Sequence, residues 1–73
     1  MAGWQRYDNW NAVLAAARKH DHLYYQAPFD HRPHFVRVVR VYKNKKIRLD
    51  PETAGTDPFT ADRGHLDRFK WLD

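Results

Sequence analysis

The fold is decided by residues 34–50, which read HFVRVVRVYKNKKIRLD. The first part of this stretch, residues 34–43, is rich in β-branched valine, which favours a long strand. Asn44 stands in a short polar run and tolerates a positive φ, so a tight turn is expected over residues 43–46. Residues 47–49 form the return strand, and the Asp-Pro pair that follows ends it. The stretch therefore predicts a β-hairpin.

The long strand of this hairpin does not alternate cleanly between apolar and polar residues. Val36 and Val38 share one phase, whereas Val39 and Val41 share the other. A β-bulge near Val38 and Val39 restores the alternation, because one extra residue shifts the phase of those that follow. The core side of the hairpin is then expected to carry Val36, Val38, Val41, Ile47 and Leu49. The outer side is expected to carry Arg37, Arg40, Tyr42, Lys46 and Arg48.

The rest of the chain predicts one helix and several short strands around this hairpin. A helix is expected over about residues 9–20, with Asp8 or Asn9 as its N-cap. Its apolar face is formed by Trp10, Val13, Leu14 and Ala17. Short strands are expected over residues 23–27, 59–61 and 69–72, with Asp62 capping a single helical turn between the last two.

This order of elements predicts an α+β fold and a single domain over residues 1–73. The N-terminal helix is expected to be followed by a small, strongly bent antiparallel sheet or an SH3-like barrel. The sheet would span about residues 23–72. A bulged long strand favours the barrel, because bulges bend strands and a small closed sheet needs bent strands.

Charge is distributed unevenly along the chain, whose net charge is +4. Residues 1–30 sum to zero, residues 31–49 to +7 and residues 50–73 to −3. A one-signed patch attracts polyanions, so the basic hairpin is the candidate binding site. Arginine grips phosphate bidentately, and a tyrosine among cations can stack on a base. The candidate nucleic-acid-binding residues are Arg37, Arg40, Tyr42, Lys43, Lys45, Lys46 and Arg48.

Several segments resemble small uncharacterised proteins of bacteriophages and prophages, over roughly residues 10–70. The segments are Tyr25-Gln26-Ala27-Pro28, Arg32-Pro33, residues 42–48 (YKNKKIR), Asp50-Pro51, Phe59-Thr60-Ala61-Asp62 and residues 65–69 (HLDRF). The resemblance implies a context rather than an activity. Phage proteins of this size are often binders that regulate nucleic acids or block a host system, including anti-CRISPR proteins. No site residues carry over from it.

Enzymatic and metal chemistry are poorly supported by the residue types present. The chain has no cysteine and no serine, so the commonest nucleophiles are missing. His20, His22, His31 and His34, with Asp62 or His65, could hold zinc, but their spacing matches no standard zinc module. We therefore expect neither an enzyme nor a cofactor, and we interpret the histidines as solvated polar groups.

Two functional interpretations remain open. The first is a small basic regulatory protein of phage or mobile-element type that binds DNA or RNA. The second is a phage-encoded inhibitor or adaptor that binds an acidic surface of a host protein, in a defence or transcription complex, with Trp4 and Phe29 as exposed anchors. A solvated sheet face, whose cations prevent edge aggregation, is the alternative that needs no ligand. A cytoplasmic location without membrane contact is expected, and a homodimer through the hairpin edge is possible.

Overall fold

The computed structural model describes residues 3–53 and 55–73. The first half contains strand β1 (Trp4–Arg6), helix α1 (Trp10–Lys19), strand β2 (His22–Tyr25) and strand β3 (His34–Val41). The second half contains strand β4 (Ile47–Asp50), strand β5 (Phe59–Ala61), a 3₁₀ helix (Arg63–Arg68) and strand β6 (Phe69–Leu72). The predicted helix and hairpin are confirmed, whereas β1 was not predicted.

The six strands form one antiparallel sheet in the order β1-β6-β2-β3-β4-β5. The last strand of the chain therefore inserts between β1 and β2. The sheet is open, with β1 and β5 at its two edges, so the predicted SH3-like barrel is not confirmed. The α+β class is confirmed, with the correction that a strand precedes the helix.

The core lies between α1 and one face of the sheet. Helix α1 buries the four residues predicted for its apolar face, Trp10, Val13, Leu14 and Ala17. They pack against Leu23, Val36, Ile47, Leu49, Ala61 and Phe69. Phe69 is fully buried and meets the Trp10 ring edge-on at 5.6 Å. Burying one such side chain contributes about 1.5–3 kcal/mol, so this single layer holds the small sheet together.

Local caps fix where the helices begin. The Asn9 side chain accepts a hydrogen bond from the Ala12 N–H at 2.9 Å, which selects Asn9 over Asp8 as the N-cap. Asp62 caps the 3₁₀ helix as predicted, because its carboxylate accepts from the Gly64 N–H at 2.9 Å. Within the described residues, no helix is long and apolar enough to cross a bilayer.

The register between β3 and β4 contains the expected bulge. Val38 pairs with Leu49 and Arg40 with Arg48, so Val39 is the extra residue between the two pairs. Val39 is exposed, whereas Val38 packs against the core. The bulge thus keeps Val36, Val38 and Val41 on the helix side and turns Arg37 and Arg40 to the opposite side, as the sequence predicts.

The hairpin turn uses a different residue for its positive φ from the one expected. Lys45 has a φ of +67°, and its N–H donates to the Tyr42 carbonyl at 3.0 Å. This is the three-residue hairpin loop in which the last loop residue is left-handed, so Lys45 rather than Asn44 adopts that conformation. The indole N–H of Trp10 donates to the Lys45 carbonyl at 2.6 Å and fastens the turn to α1.

We expect Lys45→Gly to stabilise the protein by about 0.5–1 kcal/mol. A side chain in the left-handed region costs about 1–2 kcal/mol, and glycine removes that cost while losing more backbone entropy on folding. Urea unfolding followed by circular dichroism measures the difference. Lys43→Gly is the matched control, because it removes the same charge from the same turn at a residue with negative φ. Equal destabilisation by both changes would contradict this account of the turn.

Candidate nucleic-acid interface

The side of the sheet opposite α1, here called the open face, brings part of the predicted site together. Arg40 and Arg48 are direct cross-strand partners on this face. The Arg48 guanidinium donates to the Thr60 hydroxyl of β5 at 3.2 Å, which ties it to the neighbouring strand. Neither arginine has an ion-pair partner among the described residues. Two arginines on adjacent strands, with no acidic partner among these residues, are therefore available to an anion.

Arg37 shares the open face but is partly neutralised. It pairs with Asp50 across the hairpin, at 3.8 Å between guanidinium nitrogen and carboxylate oxygen. A second ion pair joins it to Glu52 at 3.5 Å. Asp50 is the last residue of the return strand and Glu52 follows it, both in the acidic final third of the chain. The sequence predicted an outward Arg37 correctly and did not anticipate these ion pairs, so Arg37 is a weaker anion ligand than its two neighbours.

The remaining predicted residues lie at the tip of the hairpin. Strand pairing continues to Tyr42, whose N–H donates to the Lys46 carbonyl at 2.8 Å. Since side chains alternate along a strand, Tyr42 and Lys46 follow Arg40 and Arg48 on the same side. The Arg40 guanidinium lies 5.4 Å from the centre of the Tyr42 ring, within cation–π range. Lys43 and Lys45 belong to the exposed turn itself.

A second cationic pair, which sequence reasoning missed, lies towards the other edge of the open face. Arg6 of β1 and Lys70 of β6 are direct cross-strand partners. Partial burial, and then the Arg6 charge, lower the pKa of Lys70, while the Asp67 carboxylate opposes the shift. The Lys70 ammonium group also donates to the Asp67 carbonyl. The pair was missed because β1 was not predicted, so nothing in the sequence placed Arg6 beside Lys70.

Aromatic side chains occupy the open face between these cations. Tyr24 pairs with Phe35 across β2 and β3, and Phe35 is 47% exposed. Trp4 is 41% exposed, as expected for an anchor, and meets Tyr24 edge-on at 5.0 Å. Phe35 was not singled out from the sequence. It stands two residues before Arg37, however, and the alternation that turned Arg37 outward also applies to Phe35.

The histidines do not converge. Within residues 3–53 and 55–73, no group of three histidine, aspartate or glutamate side chains is placed to hold a metal ion. His65 accepts from the Asp62 N–H through Nδ1 and completes the cap of the 3₁₀ helix. His34 lies 3.8 Å from Asp30, and the rings of His20 and His22 are 6.1 Å apart. These contacts are local, and among them the His65 cap is the hydrogen bond.

Comparison with known proteins returns no relative for this chain. No protein-family model matches it, and no curated protein and no solved structure is significantly similar.

The pairing of Arg40 with Arg48 should cost stability, since like charges directly opposite each other in a sheet repel. We expect Arg40→Glu to be more stable than Arg40→Gln by about 0.2–1 kcal/mol at low salt. Both variants lose the contact with the Tyr42 ring, so their difference isolates the charge at this position. Urea titrations at low and high ionic strength measure it. Equal stability of the two variants at low salt would show that a charge at position 40 does not interact measurably with Arg48.

Proposed function

We propose that this chain is a small nucleic-acid-binding regulatory protein that holds phosphates on the open face of its sheet. The observation that carries the proposal is the cross-strand pair of Arg40 and Arg48, which has no acidic partner in the described part of the chain. The resemblance to phage and prophage proteins supports a setting in which small binders regulate nucleic acids.

A bound polyanion would resolve the repulsion between these two arginines. Like charges on opposed strands destabilise a sheet, whereas an anion between them converts repulsion into two attractive contacts. Guanidinium groups suit phosphate because their N–H donors form a planar fork that grips two oxygens. Lys43, Lys45 and Lys46 at the hairpin tip would add attraction at longer range and speed encounter with a charged backbone.

Removing this pair should reduce both affinity for nucleic acid and its salt dependence. We expect the double change Arg40→Ala with Arg48→Ala to lower the slope of log K against log salt by about 1.4–1.8. Each phosphate contact contributes ~0.7 to that slope on a single strand and ~0.9 on a duplex, because counterions are released. Fluorescence anisotropy with labelled DNA and RNA, between about 50 and 200 mM salt, measures the slope.

The matched control for this experiment is Arg18→Ala with Lys19→Ala. Both residues are exposed at the end of α1, and their removal lowers the net charge by the same amount. If the two double variants lose affinity equally, attraction is general rather than local to the open face. If the unmodified protein binds neither DNA nor RNA at about 50 mM salt, the proposed function is wrong.

Removing one of the two acidic partners of Arg37 should increase the affinity of the open face for nucleic acid. Glu52→Gln keeps the shape of the side chain and removes the charge that lies 3.5 Å from the guanidinium. We expect tighter binding of nucleic acid and a steeper salt slope. Without the Glu52 charge, one carboxylate fewer competes with phosphate for the Arg37 guanidinium. Stability should change by less than about 1 kcal/mol, since both side chains are nearly half exposed. Weaker or unchanged binding would exclude Arg37 from the interface.

A protein-binding inhibitor or adaptor is the second candidate function. It is favoured by Phe29, which is 83% exposed in the loop between β2 and β3. Phe29 also lines a surface cavity of about 400 Å³ together with Tyr25 and Phe59, a feature suited to an apolar anchor of a partner. Capture from host lysate before and after nuclease treatment separates the two functions. A stoichiometric protein retained after nuclease, and lost with Phe29→Ala, would favour the second.

A further inference from the structure

The open face carries a connected cluster of aromatic rings at its centre. Tyr24 lies at the middle of the cluster, with ring centroids 5.0 Å from Trp4, 5.5 Å from His22 and 6.2 Å from Phe35. The His22 and Phe35 rings stack at 5.0 Å with an angle of 20° between their planes. These four rings, from β1, β2 and β3, are called the aromatic platform below.

The aromatic platform does not belong to the core. The core cluster is built on the opposite face, from alternate residues of the same strands, and it includes Leu23 and Val36 but none of the four platform rings. Trp4 and Phe35 remain 41% and 47% exposed. Cross-strand aromatic pairs add some stability to a sheet. Their exposure leaves ring surface that the fold itself does not use.

Cations flank the aromatic platform on two sides. One row of cross-strand partners runs Arg6, Lys70, Tyr24, Phe35 over four neighbouring strands. The cation pair of Arg6 and Lys70 therefore lies directly beside the platform rings of Tyr24 and Phe35. The pair of Arg40 and Arg48 lies beyond the platform, further along β3 and on β4. Strand spacing of about 4.8 Å puts β1 and β4 about 19 Å apart, room for several nucleotides.

We propose that the open face binds single-stranded nucleic acid, with bases stacked on Tyr24, Phe35 and Trp4 and with phosphates held by the two flanking cation pairs. This inference rests on the proposed function and specifies its ligand. Exposed aromatic rings among cations are the combination that single strands need, because every base has a π-face and every nucleotide a charge. An open sheet that stacks bases on its aromatic residues is also a common mode of RNA binding.

A duplex fits this face less well. Its base faces are stacked on one another, and only base edges are accessible in the grooves. A major groove about 12 Å wide admits a two-stranded ribbon, whereas an open face of six strands spans about 24 Å between its edge strands. The rings of the aromatic platform would have no base surface to contact. Single strands should therefore be preferred over duplexes of the same sequence.

Substitution of the platform rings tests the proposal. We expect Phe35→Leu and Tyr24→Leu each to weaken binding of a single strand of about 12 nucleotides by about 5- to 150-fold, because one stacking surface is lost. The salt slope should stay unchanged, since no phosphate contact is removed. Phe29→Leu is the matched control, because Phe29 is exposed and lines one cavity with Phe35 but takes part in none of the ring contacts of the platform. Fluorescence anisotropy with the single strand and with its duplex measures all affinities.

A second measurement needs no variant and guards against loss of folding. When a base stacks on a ring, its ring current moves the ring's proton resonances. NMR titration of the unmodified protein with the same single strand should therefore shift the ring protons of Tyr24 and Phe35, and leave those of Trp10, which lies in the core, in place. Shifts confined to arginine and lysine side chains would overturn the proposal.

The outcomes separate this inference from the function on which it rests. Unchanged single-strand affinity in the Phe35 and Tyr24 variants, or a duplex bound as tightly as the single strand, would overturn single-strand stacking. The proposed function would still stand if the double change Arg40→Ala with Arg48→Ala reduced affinity and the salt slope in the anisotropy measurements described above. Absence of binding to any nucleic acid would overturn both.

Discussion

The extra residue at Val39 is the constraint on which both faces of the sheet depend. Without it, the residues after Val38 would keep the earlier phase, Arg40 would point at α1 and Val41 would point at solvent. Burying an unpaired guanidinium costs several kcal/mol, whereas one unpaired backbone segment at a bulge costs much less. The fully buried Ile47 and Leu49 across the hairpin fix which phase is inward. The bulge therefore has two effects at once: it directs Val41 to the core and Arg40 to the open face.

A single short helix explains why the opposite face remains uncovered. Helix α1 has ten residues and is about 15 Å long, and the sheet of six strands is about 24 Å wide. The apolar residues of the helix are used on one face, and the described residues supply no second layer for the other. Alternating strands of this kind read apolar towards the core and polar or aromatic towards solvent. The open face is thus uncovered because the one helix packs on the other side of the sheet, as well as because its own residues are polar or aromatic.

Local patterns in the sequence predicted the helix, the hairpin and the bulge, because each depends on neighbours a few residues apart. Strand β1 was missed because three residues without a β-branched side chain form a strand only when a distant partner, β6, is present. The barrel was expected because a bulge bends a strand, and bending alone does not decide whether β1 meets β5. The ion pairs of Arg37 depend on the register between β3 and β4 and on the path of the chain after β4. The charge count of residues 31–49 gives no information on either.

The position of β6 links completion of the open face to a segment that follows the other five strands in the sequence. Residues 69–72 enter between β1 and β2, which lie on either side of α1 in the sequence. Until those residues leave the ribosome, β1 has no neighbour in the sheet, and α1 lacks Phe69 beneath Trp10. The nascent chain therefore carries its arginine hairpin before Trp4, Arg6 and Lys70 can lie beside Tyr24, because that arrangement needs β6. The whole open face is therefore complete only once β6 has taken its place in the sheet.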